Sequence, residues 1–339
     1  MQLVVDENIV FAEEAFSQFG DVLLISGRPI TNEILHNADA LIVRSITIVD
    51  DKLLQNTNIK FVGTATIGTD HIDTNYLNKN NIAFAYAKGC NADSVAEYVF
   101  TALFKIAIDN KLTLKNKSIG IIGVGNVGSR VERYAEALSL KVYKNDPPKQ
   151  RAGEGDNYVS LEEALQANII SLHVPLNKTG IDKTLHLLDK KKLNKIKNNT
   201  IIINTSRGAV VDNEALLDTI DKKNFKVILD VWEGEPLIKT DLLQMVLLGS
   251  SHIAGYSMEG KVNGTKMIYD AICRFTNQQY DWEPKLPIVE NNIIDVSSAK
   301  NLEEKLHFIC KHIYNIETDD FEMRKMIGMD ESLRAGFFD

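Results

Sequence analysis

Three side chains in the second half of the sequence are suited to oxidising a hydroxyl group beside a carboxylate. Arg207 follows the apolar run Ile201–Ile203, Glu235 stands just before a proline, and His252 lies in a short apolar segment. A guanidinium can hold a carboxylate through two hydrogen bonds, and a neutral imidazole can accept the hydroxyl proton near neutral pH. A carboxylate on the other ring nitrogen would orient the imidazole and raise its pKa, and we choose Glu235 for that partner.

Each of these residues also has an ordinary structural explanation. Arg207 could belong to a surface ion pair, Glu235 could sit in a turn, and His252 could be a structural histidine. Their occurrence together, downstream of a nucleotide-binding motif, favours the catalytic interpretation.

That motif is the glycine pattern Gly123-Val-Gly125-Asn-Val-Gly128, which follows the apolar run Ile119–Ile122 and opens a predicted helix over 127–138. The first glycine permits a tight turn, the second lets the backbone approach a pyrophosphate, and the third allows close packing of helix on strand. The strand before the motif and the helix after it are the context that a dinucleotide site requires.

An acidic residue, Asp146, ends the next predicted strand after Lys141–Lys144. A carboxylate there can accept hydrogen bonds from both adenosine ribose hydroxyls and would repel a 2′-phosphate. The sequence therefore predicts NAD rather than NADP as the cofactor. A tight turn with a surface acid is the alternative explanation.

Short apolar runs alternate with helical patterns through most of the chain, which indicates an α/β fold with doubly wound parallel sheets. One long amphipathic helix over 93–110 separates two such series. The predicted strands are Leu3–Val5, Val22–Ile25, Ala40–Val43, Phe61–Val62, Ile82–Phe84, Ser118–Ile122, Lys141–Lys144, Ile169–Leu172, Thr200–Ile203 and Lys226–Leu229.

The overall composition excludes several classes of partner. The net charge of the 339 residues is −8, which argues against nucleic acid and acidic membranes. The three cysteines, Cys90, Cys273 and Cys310, have no spacing typical of disulfides or zinc, so we predict no metal. No apolar run approaches membrane-spanning length and the start lacks a signal-peptide pattern, so we expect a cytoplasmic protein.

The order of the motifs resembles the D-2-hydroxyacid dehydrogenase family over nearly the whole chain. The motifs are GVGNVG, NTSRG, DVWEGEP and SHIAG, with GTDHID at Gly68–Asp73 and NADSVAEYV at Asn91–Val99. Further details resemble one branch that acts on a phosphorylated hydroxy acid: VDEN, GRPI, VRS, GTAT, GCNA, NDPP and SHIAGYSMEGK. In that branch Ser251 replaces the proline that usually precedes the active-site histidine.

The resemblance implies a role for each matching position. Arg207 would bind the substrate carboxylate, His252 would be the acid/base, and Glu235 its partner. The residues implied for NAD are Gly123, Gly125, Asn126, Val127, Gly128, Asp146, Val174, Thr205, Ser206, Arg207, Asp230 and Gly255. The residues implied for a small anionic phosphorylated hydroxy acid are Ser45, Thr66 and Tyr256, to which we add Arg44 for the phosphate.

The resemblance also implies the domain organisation. A flavodoxin-like substrate domain would comprise residues 1–92 and 256–284, with its hydroxyls facing an interdomain cleft, and a Rossmann NAD domain would comprise residues 93–255. Residues 285–339 would form a small α+β dimerisation region of a homodimer, although the chain ends at Asp339, earlier than is typical of the branch. Its predicted helix over 302–313 could equally pack on its own domain.

Two other functions stay open at this point. The chain could be another D-2-hydroxyacid dehydrogenase of the 3-phosphoglycerate or glycerate type. It could also be a non-catalytic NAD-sensing protein that keeps the same fold and site residues.

Overall fold

The computed structural model describes residues 1–279, 281–286, 288–289 and 293–338. The chain divides into two compact units, Met1–Ala92 with Tyr256–Asn291, and Asp93–Gly255 with Asn292–Asp339. Each unit is built on one parallel sheet. The predicted α/β class with two parallel sheets is thus confirmed. Within the described residues, no helix combines the length and apolarity needed to cross a bilayer.

The first unit has five parallel strands in the order β2-β1-β3-β4-β5, which is the flavodoxin-type order. The strands are β1 Gln2–Asp6, β2 Asp21–Ile25, β3 Ala40–Val43, β4 Phe61–Thr64 and β5 Ala83–Tyr86. The helices before the second unit are α1 Ala12–Phe16, α2 Asn32–Leu35, α3 Asp51–Leu54 and α4 Thr74–Lys79, with a 3-10 turn at Ser17–Phe19.

The second unit has six parallel strands in the order β11-β10-β9-β8-β6-β7. They are β6 Ser118–Ile122, β7 Lys141–Asn145, β8 Ile169–Leu172, β9 Ile201–Asn204, β10 Lys226–Leu229 and β11 Leu248–Gly249. Its helices up to β11 are α5 Ala92–Asp109, α6 Asn126–Ala137, α7 Pro147–Ala152, α8 Leu161–Ala164, α9 Lys190–Lys195, α10 Asn213–Lys223 and α11 Thr240–Met245, with a 3-10 turn at Gly208–Val210. A parallel bridge from Lys144 to Tyr158 extends the β7 edge.

The central strands are apolar throughout because helices cover both faces of the sheet. All four residues of β8 and of β9 are buried, including the polar Ser171 and Asn204. This pattern explains why the central strands stand out in the sequence as short apolar runs, and ten strands were predicted in all. The eleventh, β11, has only two residues and was not predicted.

After β11 the chain forms one long helix of the first unit. This helix, α12 Met258–Thr276, packs on β4 and β5 through buried residues that include Ile268 and Ile272. Ser257 caps its first turn by accepting a hydrogen bond from the backbone N–H of Gly260.

The C-terminal residues belong to the second unit. They form α13 Leu302–Ile313, α14 Ile316–Arg324, α15 Glu331–Arg334 and a 3-10 turn at Ala335–Phe338. Leu306 and Cys310 of α13 pack on the same core as α5, and Met323 is buried in the other core of this unit. The residues described between 293 and 338 contain helices and no strand, so the expected α+β character of this region is not found in them.

Candidate active site

The acid/base candidate His252 lies in the loop that follows β11, within the second unit. Its Nδ1 atom is 2.9 Å from Oε2 of Glu235, and the backbone N–H of Trp232 donates to Oε1 of the same carboxylate. The two oxygens of the Glu235 carboxylate are thus held by the Trp232 backbone on one side and by the imidazole on the other. Because Nδ1 faces Glu235, the other ring nitrogen is the one that could exchange a proton with a substrate.

Two opposing effects act on the pKa of His252. Desolvation works to lower it, but the hydrogen bond and charge of Glu235, helped by the charge of Asp230, outweigh that effect and raise the pKa above its usual value. The positive charge of Arg207 works against the increase. The same interactions show that Arg207, Glu235 and His252 share one electrostatic neighbourhood.

Asp230, at the end of β10, holds the loop of His252 in place. Its backbone carbonyl accepts from the N–H of His252 at 2.7 Å, and its carboxylate accepts from the N–H groups of Ile253 and Ala254 at 2.8 and 3.1 Å. Desolvation raises the pKa of this fully buried carboxyl, while these hydrogen bonds and the charge of His252 oppose the increase. The cofactor contact expected of Asp230 stays a prediction.

Arg207 follows β9 and is half-buried. Nη1 of its side chain donates to the carbonyl of Ser206 at 2.7 Å, and its own carbonyl accepts from the amide of Asn204 at 2.9 Å. Asn204 also accepts from the N–H and hydroxyl of Ser206. The buried amide of Asn204 therefore fixes the turn that presents Arg207 at the carboxyl end of the sheet, where such folds bind ligands.

The three motif glycines stand in different surroundings that match their expected uses. Gly123 has a φ of +88°, and a Cβ atom there would lie 2.6 Å from the carbonyl oxygen of His173. A Cβ at Gly128 would lie 2.0 Å from the carbonyl oxygen of Gly123, whereas one at Gly125 would meet no atom within 4 Å. The open side of Gly125 leaves room for a phosphate at the first turn of α6, where backbone N–H groups are free.

The remaining cofactor candidates surround this loop or follow neighbouring strands. Asp146 accepts from the N–H of Val124 at 2.8 Å and caps α7 through the N–H of Lys149. The hydroxyl of Thr205 is 3.4 Å from Nδ1 of His173, next to Val174. Asn126 and Val127 open α6 beside Gly125, and Ser206 and Gly255 lie after β9 and β11.

The candidate substrate residues belong to the first unit. Arg44 and Ser45 follow β3 and Thr66 follows β4. The hydroxyl of Thr66 is 2.8 Å from that of Thr64 and donates to the carbonyl of Gly68 at 3.1 Å, so its position is fixed. Ser45 is exposed and Arg44 half-buried.

Tyr256, the fourth of these candidates, is joined by a lysine that the sequence analysis did not assign. The ammonium of Lys261 lies 3.5 Å from the centre of the Tyr256 ring. A hydrogen bond from Lys261, together with its charge and that of Arg44, lowers the pKa of the Tyr256 phenol. Two cations thus act on one exposed hydroxyl. Lys261 ends the segment SHIAGYSMEGK, five positions after Tyr256, so its place in that motif could have indicated a role at the site.

Comparisons with known proteins identify the family of this chain. A family model described as the NAD binding domain of D-isomer specific 2-hydroxyacid dehydrogenases matches residues 104–254. Two proteins named erythronate-4-phosphate dehydrogenase are each 43% identical to this chain. The one from Hydrogenovibrio crunogenus aligns over 95% of this chain and 85% of its own length, and that from Serratia proteamaculans over 97% and 89%.

The chain belongs to the erythronate-4-phosphate dehydrogenase family of D-2-hydroxyacid dehydrogenases.

Solved structures of other dehydrogenases share its fold. The D-lactate dehydrogenase of Aquifex aeolicus, solved with NAD and lactic acid, is 25% identical with a TM-score of 0.67, covering 82% of this chain and 96% of that one. The NAD⁺-bound 3-phosphoglycerate dehydrogenase of Entamoeba histolytica is 26% identical with a TM-score of 0.70, covering 82% and 95%. The enzyme is accordingly an NAD-dependent oxidoreductase, as the sequence predicted.

The glycine loop also suits NAD on physical grounds. The loop combines an open backbone at Gly125, a helix N-terminus and the carboxylate of Asp146, which are the groups that recognise a pyrophosphate and a ribose.

Glu233, two residues before Glu235, pairs with a different histidine, because its Oε1 lies 2.6 Å from Nε2 of His186. Those two residues and Asp212 form a group that could hold a cation in the described part of the chain.

Exchanging single glycines should separate cofactor binding from folding. Gly125→Ala places a methyl group in open space at a φ of −77°, so the free energy of unfolding should change little. The same methyl group would occupy the approach of the pyrophosphate and weaken NAD binding by about tenfold or more, or ~1.4 kcal/mol. Calorimetric titration with NAD and thermal unfolding would measure the two effects.

The matched variant is Gly128→Ala, whose methyl group would collide with the carbonyl of Gly123. It should lower the free energy of unfolding by about 1–3 kcal/mol. Unchanged NAD affinity in Gly125→Ala would show that the pyrophosphate does not approach this loop.

Glu235→Gln should change the pH dependence of oxidation. The amide keeps the shape of the side chain but removes the charge that raises the pKa of His252. Because oxidation requires the neutral imidazole, the acid limb of kcat/KM should move to lower pH, and kcat should fall because imidazolium is less stabilised. Initial rates between pH 5 and 9 would measure it. Glu233→Gln removes a nearby acid that pairs with His186 instead, and should leave the acid limb in place.

Proposed function

We propose that this enzyme oxidises 4-phospho-D-erythronate at C2 to 2-oxo-3-hydroxy-4-phosphobutanoate, a step in the biosynthesis of pyridoxal 5′-phosphate. The observation that carries the proposal is the pairing of His252 with Glu235 in the electrostatic reach of Arg207, in the same unit as a loop suited to NAD. The shared name of the relatives at 43% identity supports the choice of substrate.

The residues of this chain divide the work of the reaction. Arg207 binds the substrate carboxylate and polarises the C2 oxygen, which favours departure of the C2 hydrogen with its electron pair. Nε2 of His252 accepts the hydroxyl proton, and Glu235 stabilises the imidazolium that results. NAD⁺, when bound, supplies the hydride acceptor, so the products are the 2-oxo acid, NADH and one proton held by the histidine.

The phosphate end of the substrate would be bound by cations of the first unit. Arg44 and Lys261 are the two positive groups that act on the Tyr256 hydroxyl. Phosphate oxygens accept hydrogen bonds from such cations strongly because both partners are charged. Ser45 after β3 adds a neutral hydroxyl donor, and Thr66 after β4 would have to turn its hydroxyl away from the Gly68 carbonyl to donate to a phosphate. Local cations are needed since the chain as a whole carries a net charge of −8.

We also propose that the enzyme works in the cytoplasm as a homodimer. Its three cysteines are unpaired, as in a reducing compartment. Helix α13 packs on the core of its own unit through Leu306 and Cys310. Its apolar side chains Leu302, Phe308 and Ile313 are exposed and could contact a second subunit. The molar mass in solution, measured by light scattering, would decide between monomer and dimer.

The substrate is tested by following the formation of NADH by its absorbance. We expect turnover with 4-phospho-D-erythronate to exceed that with D-erythronate and 3-phosphoglycerate. His252→Ala should lose roughly 10²–10⁴-fold in kcat because the general base is absent, while still binding NAD. Turnover of 3-phosphoglycerate without turnover of 4-phospho-D-erythronate would overturn the substrate and leave the reaction class intact.

The phosphate contact is tested with Lys261→Ala. Loss of one charge-assisted hydrogen bond, worth about 1.5–3 kcal/mol, should raise KM for 4-phospho-D-erythronate by roughly 10- to 100-fold with a smaller change in kcat. KM for unphosphorylated D-erythronate should not change. Lys79→Ala removes an exposed lysine at the end of α4 of the same unit and serves as control. An equal effect on both substrates would exclude a phosphate role for Lys261.

A further inference from the structure

Helix α14 contacts the chain just before the loop that carries His252. The guanidinium of Arg324 donates to the carbonyls of Leu243 and Val246 at 2.9 and 3.0 Å, and more distantly to that of Leu247 at 3.4 Å. Those carbonyls lie at the end of α11, where backbone oxygens lack helical partners and a cation is favourable. Arg324 therefore ties α14 to the segment that leads into β11.

An acidic neighbour on α14 completes the attachment. Asp320 accepts from Nε of Arg324 at 2.8 Å through one oxygen, and from the backbone N–H of Gly249 at 2.8 Å through the other. The side chain of Asp320 is only 16% exposed, so solvent screens these bonds weakly. Gly249 is the last residue of β11 and stands three positions before His252.

The next residue, Ser250, connects this attachment to the catalytic loop. Ser250 is 1% exposed; its carbonyl accepts from the indole of Trp232 at 2.8 Å and its hydroxyl donates to Asp230 at 2.7 Å. The hydroxyl of Tyr98 lies 2.6 Å from the Ser250 hydroxyl. Asp230 then binds the backbone of the loop itself, so hydrogen bonds and the peptide bond between Gly249 and Ser250 connect α14 to His252.

The histidine is sensitive to such support because of its own backbone. His252 has a φ of +62°, a left-handed conformation that costs a non-glycine residue about 1–2 kcal/mol and persists only where surrounding contacts impose it. A small shift of Gly249 would lengthen the 2.9 Å contact between His252 and Glu235. A displacement of about 1 Å at a reacting group costs on the order of 10²-fold in rate.

We propose that Asp320 and Arg324 are positioning residues for the acid/base histidine, so that α14 serves the chemistry of its own subunit. The helix acts through Gly249, Ser250 and Asp230 and does not itself touch the reactants. This inference rests on the proposed role of His252 as the base, and it adds a catalytic use to a region expected only to form a dimer.

Two variants of this attachment test the proposal. Asp320→Asn weakens the bonds to Gly249 and Arg324 while keeping the size of the side chain, and Arg324→Lys keeps the charge but cannot reach several carbonyls at once. We expect kcat to fall about tenfold or more, with KM for NAD little changed, because the base is displaced and the glycine loop is not. Lys325→Ala, which removes an ion pair with Glu322 on the same helix, is the matched control.

The second measurement follows the imidazole directly. The charged groups that act on His252 are Glu235, Asp230 and Arg207, and a looser contact with Glu235 should lower its pKa. An NMR titration of the histidine signals, assigned with His252→Ala, should therefore show a lower pKa in Asp320→Asn. This readout needs no substrate, so it separates failure of the positioning role from failure of the substrate assignment.

A merely structural role predicts a different outcome. In that case Asp320→Asn and Arg324→Lys would lower the melting temperature, yet the folded protein would keep the wild-type kcat, acid limb and His252 pKa. That result would overturn the proposal. A change in kcat and in the His252 pKa, with NAD affinity retained and Lys325→Ala unaffected, would support it.

Discussion

One buried carboxylate, that of Asp230, sets the geometry on which the catalytic half of the molecule depends. It accepts hydrogen bonds from Ser250, which precedes His252, and from the N–H groups of Ile253 and Ala254, which follow it. A carboxylate that is 1% exposed would be costly without such donors. The loop is therefore held in the one conformation that satisfies this group, and the imidazole that it carries meets Glu235.

The two units contain different candidate residues. The second holds the glycine loop, Arg207, Glu235 and His252, and the first holds the hydroxyls and cations that we propose for the anionic end of the substrate. Most of these candidates follow the carboxyl ends of parallel strands, where loops are free to vary on a rigid sheet. In an acidic chain, such local placement of arginine and lysine decides where an anion is attracted.

Much of this could be predicted from the sequence because the signals are local. Apolar runs located ten strands, and the flanking strand and helix made the glycine motif specific. The strand β11 was not predicted because its two residues, Leu248 and Gly249, give no periodic pattern. Lys261 was not predicted as a site residue because it contacts the face of the Tyr256 ring, and only the turn into α12 brings the two together. The attachment of Asp320 to Gly249 joins positions 71 apart, and no spacing rule anticipates such a contact.

The bond from Asp320 to Gly249 has a consequence for the order in which an active molecule is made. During synthesis from the N-terminus, every residue of the glycine loop and of the Arg207, Glu235 and His252 set is present before α14 has emerged. If α14 positions the base, full activity arises only once α14 has been made and has docked. Removal of α14 by proteolysis would then lower turnover while sparing every residue that touches the reactants.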